Sequence, residues 1–183
     1  MDFQGKRDIL SFKGKIHLIC KDDEVLACEK ALSSVKVLGF DTETRPSFVK
    51  GQTHKVALLQ LSTEREAFLF RLHGLSRFSL LKDLFEDPQV VKVGAAIRDD
   101  IKALQKLFPF EAKGFTELQL LAKEKGLTQF GLKGMTEELL GATIHKGPKM
   151  TNWEAQTLTD RQLNYAATDA WIGLKLFEKL TSI

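Results

Sequence analysis

The run Val35-Lys36-Val37-Leu38-Gly39-Phe40, closing on Asp41-Thr42-Glu43-Thr44, constrains this chain more than any other stretch. β-Branched and aromatic residues dominate the run, which predicts a buried strand from Val35 to Asp41. Asp41 and Glu43 at its tip are separated by one residue, so the period-two alternation of a strand turns both carboxylates the same way. Charges paired in this manner repel, and burying them costs on the order of several kcal/mol unless something positive compensates. A divalent cation is one compensation; on this stretch alone, a loop-capping role for the two side chains reads equally well.

Along the chain, a polar leader (1–14) precedes a predicted strand from Lys15 to Cys20, and Asp22 or Asp23 then caps a helix running to Ser33. After the core strand, Arg45 to His54 carries Pro46, Gly51 and basic side chains and reads as a mobile loop beside the acidic pair. Lys55 to Thr63 and Glu66 to Arg71 form the simplest hairpin. A helix from Phe78 to Phe85 and a short buried strand from Val90 to Val93 follow. Helices are then expected over Arg98 to Leu107, Thr116 to Lys125 and Leu132 to Leu140, the last ended by Gly141. Ala142 to Leu158 shows no period. Thr159 and Gln162 make a capping box for a final helix whose apolar residues recur at helical spacing, with Tyr165 and Asp169 one turn apart. Strands first and helices later make an α/β domain of three layers the natural expectation.

At 183 residues, 43% hydrophobic and 28% charged, the chain reads as one soluble globular domain. A formal charge of +3 permits a polyanionic partner without identifying one. No apolar run approaches the roughly 20 residues that span a bilayer, and the leader is too polar for a signal peptide. The expected location is therefore cytoplasmic, with no membrane partner. Cys20 and Cys28 lack metal-type spacing and read as reduced structural thiols.

Three places present acids at structured positions: Asp41 with Glu43, Asp99 with Asp100 at a helix start, and Asp169 on the final helix beside Tyr165. Singly, each has a plain structural explanation as a cap, a solvated helix residue or a half-buried aromatic. As an ordered set, Asp41-x-Glu43, Val93-Gly94-x-x-Ile97-x-x-Asp100 and Tyr165-x-x-x-Asp169 resemble the three motifs of the DEDD superfamily of 3′-5′ exonucleases in its tyrosine branch (DEDDy), the group of ribonuclease D and the Werner syndrome helicase exonuclease domain. The resemblance runs from about Lys15 to Leu180 and includes Lys55 to Leu61, Leu139-Leu140-Gly141, Asn152-Trp153 and Tyr165 to Ala170.

That resemblance implies a ribonuclease-H-like α/β fold, a mixed central β-sheet with antiparallel first strands, flanked by α-helices. It implies a single exonuclease domain over 1–183, a hydrolase releasing nucleoside 5′-monophosphates by a two-metal mechanism with Mg²⁺ or Mn²⁺. Asp41, Glu43, Asp100 and Asp169 would be the metal-binding acids and Tyr165 the residue orienting the attacking water. Asp41 would bridge both ions and Glu43 serve the nucleophile side. The sister branch carries histidine where this chain has Asn164, which assigns the tyrosine branch. Spacing in the family puts the ligand at Asp100 and leaves Asp99 as a helix-terminal charge. The expected partner is nucleic acid with a single-stranded or recessed 3′ end. Ribonuclease D relatives usually append helical domains for which this chain, ending at Ile183, has no room, and this leans the expectation slightly toward DNA. A helicase or other repair or processing partner is left open.

Thr42, Arg45, Lys149 and Trp153 are the candidates for substrate contact, with Lys50, Lys55 and Lys146 beside them. For the basic residues the alternative is a solvated surface, and for Trp153 a structural anchor. Two other classes remain on this reading: a catalytically silent nucleic-acid-binding module on the same fold, and a hydrolase of small phosphate esters.

Overall fold

The alternation of side chains along three central strands sorts the chain into layers. The computed structural model describes residues 5–183. In chain order its elements are β1 (Ile9–Leu10), β2 (Lys15–Ile19), α1 (Asp22–Ser33), β3 (Val37–Thr44), β4 (Val56–Ser62), β5 (Glu66–Arg71) and α2 (Ser79–Glu86). There follow β6 (Val91–Gly94), α3 (Arg98–Leu107), β7 (Phe115–Glu117), α4 (Leu118–Glu124), α5 (Leu132–Leu140), β8 (Thr143–Ile144) and α6 (Asp160–Thr181). Six strands form the main sheet in the order β2-β5-β4-β3-β6-β7. β4 and β5 are the expected hairpin, and β3 pairs antiparallel with β4. β2, β6 and β7 are added parallel, so the antiparallel part is the middle of the sheet and does not include its first strand.

Leu38 and Phe40 of β3, with Leu59, Leu61, Phe68 and Phe70 of the hairpin, pack with Val25 and Leu32 of α1, Leu81 and Phe85 of α2 and Leu104 of α3. Leu58, Ala67 and Leu69, which alternate with these, and Ala57 at the register shift with β3 pack with Ala166 and Ala167 of α6 in a second cluster. Phe40, Phe85, Phe108, Phe110 and Phe115 meet edge-on, tilted or, for Phe85 and Phe108, stacked at 5.2–6.2 Å, and such pairs add roughly 0.5–1.5 kcal/mol each beyond the area they bury. The floor under β3 is therefore stiff. Opposite it, Gly39 lets α6 lie flush on the strand: a Cβ there would stand 1.9 Å from the Ala170 carbonyl oxygen. Residues 39, 41 and 43 share that face, so the contact that seats α6 also brings Asp169 to Asp41 and Glu43.

Several expectations are corrected. β3 continues to Thr44 with a bulge between Glu43 and Thr44, which puts the two acids inside the strand, opposite Gln60 and Leu58, instead of at its tip. Pairing with β4 holds the strand past the point where polar residues begin. Thr116 and Glu117, expected to open the helix over Thr116 to Lys125, belong instead to the edge strand β7, and α4 begins only at Leu118. The described part of the polar leader is built into the fold. The leader's first four residues lie outside the described residues, but β1 pairs with β8, and Phe12 is buried at 2% exposure. Lys92 on β6 is wholly buried, donating to the Leu84 and Asp87 carbonyls at the end of α2 (2.8 and 2.9 Å). Among the described residues, no helix is long and apolar enough to cross a membrane.

Candidate active site

A cleft of about 430 Å³ opens along β3, floored by Asp41, Thr42 and Glu43 and walled by Asp100 on α3 and by Tyr165 and Asp169 on α6. Carboxylate oxygens of Asp41, Glu43 and Asp169 all lie within 4.8 Å of one another. Asp100 stands just outside that cluster and is tied to it through Thr42, whose hydroxyl donates to Asp100 Oδ1 at 2.8 Å. The Thr42 backbone N–H donates to Asp41 Oδ1 at 2.9 Å. The adjacent Asp99 is exposed and does not line the cleft.

The electrostatics follow from this crowding. Burial, then the charges of Asp169 and Asp100, holds Asp41 protonated well above the ordinary carboxylate range. Burial and the charges of Asp41 and Asp169 push Glu43 up to about 10, and burial alone lifts Asp169 to about 7 despite the neighbouring Tyr165 hydroxyl. Asp100, less enclosed and stabilised by Thr42, rises to about 6. Tyr165 is raised above its usual value by burial and by the charge of Asp169. Such a set is starved of positive charge. Among the cations lining the cleft, Lys149 is the one whose charge favours the ionised form of all four acids.

Lys149 reaches the cleft on a strap, residues 145–159, between β8 and α6. The far half of the strap is anchored. Arg71 donates to the Ala155 carbonyl and to the Gln156 carbonyl (2.8 Å), and Gln162 donates to the Thr151 hydroxyl (2.9 Å). The near half rests on α6, since a Cβ on Gly147 would stand 1.8 Å from the Tyr165 ring.

Of the proposed substrate contacts, Thr42 and Lys149 line the cleft, with Lys146 beside them. Arg45 does not; its guanidinium lies 3.8 Å from Glu154 of the strap. Trp153 is corrected: its ring is fully buried, and its indole N–H donates to the Lys149 carbonyl at 3.1 Å. It therefore anchors the strap and has no face free for a base. Asn164 binds the leader, accepting from the Ser11 hydroxyl (2.7 Å) and donating to the Phe12 carbonyl (3.0 Å). Sequence reasoning passed over Gln60, fully buried with its amide 3.4 Å from Glu43 Oε1, and Lys133 and His145 on the cleft wall. A lone amide in an apolar strand was the available sign for Gln60.

Comparison with known proteins agrees with the geometry. A model of the 3′-5′ exonuclease family matches residues 16–183. The chain is 34% identical over 158 residues to the bifunctional 3′-5′ exonuclease/ATP-dependent helicase WRN of Mus musculus, covering 83% of this chain and 11% of that protein. It is 30% identical over 166 residues to ribonuclease D of Escherichia coli, covering 89% of this chain and 43% of the relative. The crystal structure of Escherichia coli RNase D superimposes with a TM-score of 0.82 at 28% identity, covering 92% of this chain and 44% of that one. The Aedes aegypti Nibbler EXO domain shares the fold, with a TM-score of 0.85 at 22% identity, covering 94% and 91%. The chain thus spans less than half the length of the curated relatives named here. From the matched span, and from the acids of β3, α3 and α6 around one cleft, the chain belongs to the 3′-5′ exonuclease family.

Proposed function

We propose that this protein hydrolyses phosphodiester bonds stepwise from the 3′ end of a nucleic-acid strand, releasing nucleoside 5′-monophosphates, as a tyrosine-branch member of its family. The observation that carries the reading is the convergence of Asp41, Glu43 and Asp169 within 4.8 Å, with Asp100 joined through Thr42 and Tyr165 on the same wall. The donor set fits hard divalent cations: every side chain is a carboxylate, and the acids are held protonated for want of positive charge. Asp41, Glu43, Asp100 and Asp169 would hold two ions, Mg²⁺ or Mn²⁺. Bound there, such ions supply an acidified water and balance the charge developing on the departing 3′ oxygen.

The protein's own groups do the rest. Tyr165, whose hydroxyl is held above its usual pKa, cannot serve as a base near neutrality; it keeps its proton and directs the water by hydrogen bonding. The Thr42 hydroxyl orients Asp100. Lys149, with Lys146, Lys133 and His145 on the same wall, faces the phosphates of the incoming strand, and the open cleft admits a single strand. Matched DNA and RNA oligonucleotides, labelled at either end and incubated with Mg²⁺ or Mn²⁺, test the reading. The expected result is a ladder shortening from the 3′ end with mononucleotide product. Intact oligonucleotides of both kinds under both metals would overturn it, and cleavage of mononucleotides alone would favour a small-ester hydrolase.

A further inference from the structure

The turn between β6 and α3 decides where Asp100 stands, and α3 does not fix that turn by itself. Gly94 is pressed so close to β3 that a Cβ would lie 2.4 Å from the Phe40 carbonyl oxygen. The chain then bends through Ala96 at φ 55°, the one non-glycine residue with positive φ among the described residues. An alanine holds that left-handed conformation only under constraint. Ile97, the N-cap of α3, has no side-chain oxygen to offer the free N–H groups that open a helix.

The missing acceptor comes from the edge strand. Glu117 accepts the Ala96 N–H on Oε1 at 2.7 Å and the Ile97 N–H on Oε2 at 2.8 Å. Its Oε1 also accepts the Gln119 N–H at 3.1 Å, capping α4. One carboxylate thus closes the left-handed turn and starts two helices, and both helices send a side chain into the cleft, Asp100 and Gln119. Glu117 itself does not line the cleft. Its charge is unfavourable to the ionised form of Asp100, so local electrostatics of the site do not account for an acid there. Bridging two consecutive N–H groups does.

We propose that Glu117 is a positioning residue for the site, acting through Asp100 by clamping the Ala96-Ile97 turn. For its activity arm this rests on the nuclease reading; for its metal arm it does not. The test compares wild type, Glu117→Gln, Ala96→Gly and the double variant, measuring Mn²⁺ affinity by calorimetry on metal-stripped protein, kcat and KM on an oligonucleotide, and melting temperature. Glutamine keeps the shape but turns an NH₂ either toward the Ile97 N–H or toward the Ala96 and Gln119 N–H groups. The expected result is Mn²⁺ binding weakened by about tenfold and kcat lowered by roughly 10- to 100-fold, with KM within about twofold. Ala96→Gly in the double variant should recover most of both losses, because glycine takes positive φ unaided. If Glu117→Gln leaves Mn²⁺ affinity and kcat within about twofold of wild type, or if glycine recovers neither, the residue is a structural cap and the proposal fails. Should the glutamine variant not fold, Glu117→Asp, which keeps the charge but withdraws it by one methylene, takes its place with the same expectations. Should the wild type not cut nucleic acid, the Mn²⁺ measurements alone decide.

Discussion

Asp99 and Asp100 are neighbours in sequence with different surroundings. Asp100 turns into the cleft and accepts the Thr42 hydroxyl at 2.8 Å, whereas Asp99 is exposed at the first turn of α3. Asp100→Asn is expected to lower kcat by roughly a hundredfold or more through loss of a metal ligand. Asp99→Asn should stay within about threefold, since a charge at a helix start contributes only about 0.3–1 kcal/mol. Single-turnover cleavage of a labelled oligonucleotide separates the two, and a reversed order would reassign the ligand. At this scale the acids were legible because carboxylates at such spacing on predicted elements carry their chemistry in their identity. Glu117 was not legible. Its role consists in reaching two N–H groups 20 and 21 residues earlier in the chain, and no local pattern records that reach.

Among the elements, the strap over residues 145–159 explains how an aperiodic stretch contributes to the site. Its anchors are Arg71, Trp153 and Gln162, each buried, and its near half carries Gly147 against Tyr165 and Lys149 toward the acids. Gly147→Ala is expected to displace the Tyr165 ring, lowering kcat by roughly tenfold or more while far-UV circular dichroism is unchanged. Unaltered turnover in that variant would mean the strap is free to lift. Long periodic elements, α1, α3 and α6, and the hairpin were readable from spacing, and α6 from its capping box as well, although α1 opens at Lys21 with no side-chain cap and not at Asp22 or Asp23. The two-residue strands β1 and β8 and the three-residue β7 were not, because so few residues show no period and their pairing is decided by partners distant in sequence.

For the molecule as a whole, the cleft is a site held at the expense of stability. Asp100, Asp169 and Glu43 have folded-state pKa values of about 6, 7 and 10, above the ordinary 3.8 to 4.5. The folded protein therefore binds more protons than the unfolded chain once pH exceeds the ordinary values, and stability falls as pH rises through that window. Between about pH 5 and 7.5, the surface acids with lowered pKa, Asp22, Glu86, Glu137 and Glu138, are ionised in both states and contribute no slope. Lys92, lowered to about 8, begins to oppose the trend only at the upper end. In EDTA the melting temperature should decline across this range. Millimolar Mg²⁺ or Mn²⁺ should abolish the decline and raise the melting temperature at neutral pH by about 5–10 °C, given ligand at about a hundred times its dissociation constant. Scanning fluorimetry at several pH values, with and without metal, reads both effects, and a flat profile in EDTA would contradict the protonated cluster.

The chain carries a single tyrosine, and that tyrosine stacks on one of its two tryptophans: the rings of Tyr165 and Trp153 lie 6.2 Å apart and 27° from parallel. Trp153 also holds the carbonyl of Lys149. The pair is an optical window built into the cleft: all tyrosine absorption in the protein belongs to the candidate water-orienting residue, and a neighbouring indole stands ready to receive its excitation. With Trp171 replaced, the remaining emission would follow the wall of the cleft through a turnover without any attached dye.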